Sequence, residues 1–86
     1  MIQILFNDSS MIWDPIDLDF NYEFCKDSLR WFEQVFKSYG YIYLNDIYEH
    51  FGLKWNPDDE NICLRSFNVK NLLVGTEGIM ISIEYE

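Results

Sequence analysis

Nucleophilic catalysis by Ser, Thr or Cys wants an adjacent base held by a third group, and this chain offers one histidine, His50, for that task. Glu49 precedes it, but neighbouring residues on a helix project about 100° apart, so Glu49 is not its orienter. His50 reads instead as a helix-end or solvent-facing histidine. Asp17, Asp19, Asn21 and Glu23 begin like the D-x-D-x-N opening of a calcium-binding EF-hand loop. The sixth position is Tyr22, where the sharp turn needs Gly, and the twelfth is Ser28, where a bidentate Glu belongs. The ligand set is therefore not an EF-hand. Asp58-Asp59-Glu60 reads as a solvated loop, and Gly75 and Gly78 frame a turn without the lysine and helix of a phosphate-binding loop. Cys25 and Cys63 form no C-x-x-C pair, and one histidine cannot complete a four-ligand zinc site with them. Both lie among apolar residues, as buried free thiols do. Acid pairs for hydrolysis occur in any acidic chain and have no further support here. The expectation is a non-enzyme without cofactor or metal.

Charge is more informative. Fifteen acidic residues face six basic ones, a net −9. That argues against direct nucleic-acid or membrane-surface binding, both of which want a basic footprint. It favours solubility and basic partners. Asp8, Asp14, Asp17, Asp19, Glu23 and Asp27 fall within twenty residues whose one base is Lys26. Gathered on one surface, they would make a negative patch for partner binding. Trp13, Phe20 and Tyr22 would add anchors if exposed, although aromatics are more often core.

The elements that must position these residues follow from the hydrophobic pattern. Eighty-six residues make one domain, 1–86, and a 49% apolar, 19% aromatic composition is that of a folded chain. Ile2, Ile4 and Phe6 alternate as a strand, Asn7–Ser10 is a turn, and Met11–Trp13 is expected to return as a partner strand halted at Pro15. Ile16, Leu18, Phe20, Tyr22 and Phe24 share one parity, which mixes an extended segment with a helix start capped by Asp19 or Asn21. The main helix is expected over Glu23–Tyr39, its inner ridge Cys25, Leu29, Phe32 and Phe36, widened by Trp31, Val35 and Tyr39. Gly40 ends it. Tyr41–Tyr43 is extended, and a short helix over Asp46–Phe51, capped by Asn45, closes at Gly52. Trp55–Asn61 is an acidic loop and Ile62–Phe67 a strand; Asn68–Leu73 fits no single pattern. Gly75–Gly78 is a turn, and Ile79–Tyr85 is a strand expected to pair antiparallel with 62–67 and to accept the N-terminal strand as a third. The fold class is α+β: one long and one short helix packed on a small, mainly antiparallel sheet. No apolar run approaches the ~20 residues of a membrane span, and Met1–Asp8 lacks the basic start of a signal peptide, so a cytosolic chain is expected.

The stretch Tyr39-Gly40-Tyr41-Ile42-Tyr43-Leu44-Asn45-Asp46-Ile47-Tyr48-Glu49-His50-Phe51-Gly52-Leu53, followed by Trp55-Asn56, resembles an arrangement in small uncharacterised bacteriophage accessory proteins. They share the preceding helix, the Tyr-Gly turn, the aromatic short helix, the Trp loop and a closing strand. The resemblance covers roughly Leu29 to Trp55 and leaves out residues 1–20. It implies phage or prophage origin, the host bacterial cytoplasm and an accessory role, and it brings no catalytic residues. Joined to the acidic segment, the expectation is a stoichiometric inhibitor of a host nucleic-acid enzyme, of the anti-restriction or anti-CRISPR type. Its carboxylates would imitate duplex phosphates against a basic groove. The alternative is a phage structural or assembly component acting as a homo-oligomer.

Overall fold

The computed structural model describes residues 2–54 and 62–84, and its elements run β1 (Ile2–Phe6), α1 (Leu18–Tyr39), β2 (Ile42–Tyr43), α2 (Leu44–His50), β3 (Cys63–Leu64), β4 (Asn68–Gly75) and β5 (Gly78–Glu84). The architecture is α+β. One sheet has the order β1-β5-β4, both pairings antiparallel, and β2-β3 forms a separate two-stranded antiparallel ribbon. Among the described residues, no helix is long and apolar enough to cross a membrane.

The three-stranded sheet follows from alternation. Ile4, Phe6, Ile79, Ile81 and Ile83 are all buried, and the register sets Ile4 against Ile81 and Phe6 against Ile79. Period-two spacing puts them on one face, and that face carries the core. The expected pairing of 62–67 with the last strand does not form. β4 occupies that place because a two-residue turn, Thr76-Glu77, joins it to β5, and local closure costs least chain entropy. Residues 63–64 pair with β2 instead, and Leu44 N–H reaches the Ile62 carbonyl at 2.8 Å.

α1 starts earlier than its expected Glu23. Asp17 is the N-cap, accepting the Phe20 N–H at 3.0 Å, in place of Asp19 or Asn21. Winding the 16–24 alternation into a helix places residues two apart about 200° around the axis. One parity therefore cannot share a face. The buried stripe is Asn21, Cys25, Ser28, Leu29 and Phe32, while Trp31 and Tyr39 are exposed rather than part of the ridge. On the outer face the ion pairs are Glu23–Lys26 at 3.6 Å and Asp27–Arg30 at 3.3 Å. Gly40, at φ 79°, stops the helix.

α2 begins at Leu44 with no side-chain cap; Asn45, expected to be that cap, lies inside the helix and is buried. Its C-terminus is a Schellman closure: Leu53 N–H bonds the Tyr48 carbonyl at 2.9 Å and Gly52 N–H the Glu49 carbonyl at 3.0 Å. Gly52 has φ 68°, and a Cβ there would sit 2.6 Å from Ser10 Oγ, so the position requires glycine twice over. Ser10 Oγ in turn donates to the Phe51 carbonyl at 2.6 Å and accepts the Ile12 N–H at 3.1 Å. These bonds, with Trp13 N–H to the Ser10 carbonyl, hold Met11–Trp13 in a turn and displace the expected partner strand. The expected acidic loop over Trp55–Asn61 and the end of the last strand at Tyr85 lie outside the described residues.

Candidate functional site

The segment between β1 and α1 is irregular but internally bonded. Asn21 is fully buried on the inner stripe of α1. Its amide accepts the Asp14 N–H at 2.8 Å and donates to the Asp14 carbonyl at 2.7 Å, so one side chain satisfies both backbone groups of one residue. The Asp14 carboxylate then accepts Ile16 N–H at 2.9 Å and Asp17 N–H at 3.1 Å. Those two bonds, the first the stronger, hold its acid below the ordinary 3.8. Trp13 packs its edge on Phe6, centroids 5.2 Å apart. The turn is thus clamped at Ser10, Trp13 and Asp14.

What this clamped segment shows to solvent is apolar. Met11 is 98% exposed, Ile16 91%, Leu18 58% and Phe20 47%. Apolar side chains presented this fully from a bonded loop are the features that mark interaction surfaces. A cleft of about 520 Å³ lies beside them, lined by Asp8, Trp13, Leu18 and the β4–β5 turn with Glu77. The aromatic anchors divide: Phe20 is exposed, while Trp13 and Tyr22 are half-buried against the core.

The six acids also divide. Asp14, Asp17 and Asp19 cluster around the first turn of α1, and Asp8 lines the cleft whose wall includes Leu18 of that turn. Among the described residues none of the four has a cationic partner. Asp19, Glu23 and Asp27 follow one another at i, i+4, i+8 on a single stripe, but Lys26 and Arg30 neutralise the last two. The strongly negative surface is therefore the Asp8–Asp19 part, interleaved with Met11, Ile16 and Leu18. Sequence patterning missed that interleaving, because it assigned Ile16, Leu18 and Phe20 to a buried parity.

A second feature lies between the helices. His50, at the end of α2, stacks on Phe24 (5.6 Å, 7°) and on Trp31 (5.4 Å, 18°), and meets Phe32 and Phe51 edge-on. Its Nε2 is 2.8 Å from Ser28 Oγ. Ser28 is buried in α1, so this Ser–His pair does not open its hydroxyl to a cleft. Burial pushes the imidazole below its ordinary 6.5. The unfolded chain then takes up a proton near 6.5 while the folded one resists. Stability should fall as pH drops from ~7 to ~5, above the carboxylate range, and His50→Gln should flatten that part of a thermal-midpoint profile. A wild-type midpoint unchanged over that interval would contradict it.

Cys25 is a buried free thiol whose acid is pushed up to about 12 by burial, an unreactive state; Cys63 is free and half-buried. Among the described residues no three His, Cys, Asp or Glu side chains gather as a metal-holding group, and Asp17, Asn21 and Asp14 are engaged with backbone instead. No protein-family model, curated protein or solved structure matches the chain.

Proposed function

We propose that the protein acts by stoichiometric binding, presenting the 8–20 segment to a basic partner. The observation that carries this is Met11 and Ile16, almost fully exposed on a loop clamped by the Asn21–Asp14 bonds. A preorganised loop spends little ordering entropy on docking, so its apolar contacts contribute more of their strength to affinity. Asp8, Asp14, Asp17 and Asp19 around them supply attraction and orientation toward a cationic surface. With the resemblance to phage accessory proteins, the partner is a host nucleic-acid enzyme whose basic groove these acids occupy in place of phosphates. The result is inhibition without chemistry.

The test is retention of a host enzyme from bacterial lysate, followed by one-to-one inhibition of that enzyme and a binding titration against salt. Asp8→Asn with Asp19→Asn should slow association and flatten the salt dependence. Met11→Ser with Ile16→Ser should speed dissociation about tenfold or more. Affinity indifferent to salt would end the phosphate-mimic reading.

Among the described residues the outer edge of β4 has no strand partner, which supports a second reading, a homo-oligomer. Residues 62–76 contain no acid and include Arg65 and Lys70, so this edge is where two copies repel least. Retention of the protein alone, with a multiple of the monomer mass in light scattering, favours this reading over the first.

A further inference from the structure

We propose that the cleft between α1 and α2 lined by Trp31, Asp46, Glu49 and His50 is a binding site for an arginine side chain of a partner protein. The cleft has a volume of about 420 Å³, with Phe32, Val35 and Ile42 completing its wall. That is ample for a guanidinium and the stem that carries it.

Three observations specify the occupant. Trp31 is 54% exposed, yet its ring is not loose: His50 stacks on it and Phe32 meets it at 5.0 Å. Behind His50 stand Phe24 and then Phe20, so the indole is the end of a stack of rings braced from α1 and α2. An indole fixed this way, half exposed and lining the cleft, is a platform of the kind that attracts a cation. Next, Asp46 and Glu49 are exposed acids three residues apart on α2, and both line the cleft. Among the described residues neither has an ion-pair partner, whereas Glu23, Asp27 and Glu84 are matched by Lys26, Arg30 and Lys70. Lastly, among the described residues no lysine or arginine lines the cleft, and its two carboxylates set a negative charge there. A planar guanidinium stacks on indole, donates to two carboxylates at once, and is more weakly hydrated than an ammonium. Lysine satisfies the charge and not the plane.

The site lies roughly 16 Å along α1 from Phe20, so it goes beyond the 8–20 loop and holds or fails independently of that loop's partner. The probes are the capped tripeptides Gly-Arg-Gly and Gly-Lys-Gly, titrated into isotope-labelled protein while the Trp31 indole N–H and the His50 ring resonances are followed. The arginine peptide should give a saturable shift of both, with the lysine peptide about fivefold or more weaker. Trp31→Leu should abolish the His50 response, and Asp46→Asn with Glu49→Gln should weaken binding about tenfold. These side chains are exposed, so an otherwise unchanged spectrum shows that the variants remain folded. A non-saturating shift, an equal response to both peptides, or undiminished affinity after acid neutralisation each overturns the proposal. The readout is local to the cleft, so failure of the loop to capture a partner does not alter it.

Discussion

Replacing Phe6 by alanine is expected to lower the thermal midpoint by on the order of 20 °C. Phe6 is fully buried at the end of β1, and its ring touches Trp13 at 5.2 Å, Phe51 at 5.5 Å and Phe24 at 5.6 Å. It therefore joins β1, the clamped segment, α1 and α2 at one point. Truncating a phenylalanine in such a place costs ~3–5 kcal/mol, through lost transfer energy and an unfilled cavity. A chain of this length has ~4–13 kcal/mol in total, so the variant loses a large share of its margin. Phe20→Ala makes the same deletion on an exposed ring, in α1, and should change stability by ~0.5 kcal/mol or less. The pair of measurements separates position from chemistry. A Phe6→Ala loss no larger than that of Phe20→Ala would mean that the core does not centre on this ring.

Phe6 also shows why the fold was legible in the sequence where the signal is local. Ile2, Ile4, Phe6 and Ile79, Ile81, Ile83 need one rule, alternation, and both strands formed as expected. Gly40 and Gly52 stop their helices because only a left-handed residue closes the last turn there. β4 was opaque for an equally physical reason. Lys70 is an extra residue in the ladder between Val69 and Asn71, so Val69 lies opposite Ile83 while Leu72, of the other parity, lies opposite Ile81. A bulge reverses the alternation on which a strand is recognised. The start of α1 misled in the opposite sense, since Ile16, Leu18, Phe20, Tyr22 and Phe24 imitate a strand that Asp17 converts into a helix by capping Phe20. At the site, the acids were legible as a cluster but not their partners: whether Lys26 and Arg30 neutralise Glu23 and Asp27 depends on which turn they share. Trp31 stands about 100° around α1 from Phe32, at the margin of the buried stripe. Whether a margin residue is covered is decided by α2, and periodicity within α1 carries no information about that.

The second large effect is expected at Asn21, which no composition argument would single out. Asn21→Ala removes one acceptor and one donor and leaves the Asp14 N–H and carbonyl without their partner. Each such group costs ~1–3 kcal/mol when it stays shielded from water, so chemical denaturation should show a loss of about 2–4 kcal/mol. Removing only the helix cap, Asp17→Ala, should cost ~1 kcal/mol. The loop consequence distinguishes this asparagine from an ordinary core residue. With Asp14 released, residues 10–17 exchange one conformation for many, and Met11 and Ile16 must be ordered again at each encounter. Under conditions where the variant is still folded, amide exchange in that segment should quicken, and affinity for a partner bound through it should drop about tenfold or more, although no contacting residue has changed. Loss of stability with the loop amides still protected would make Asn21 a packing residue and detach it from recognition. Loss of protection with affinity intact would show instead that the partner does not bind through residues 8–20, since a loop that docks cannot be loosened without weakening the docking.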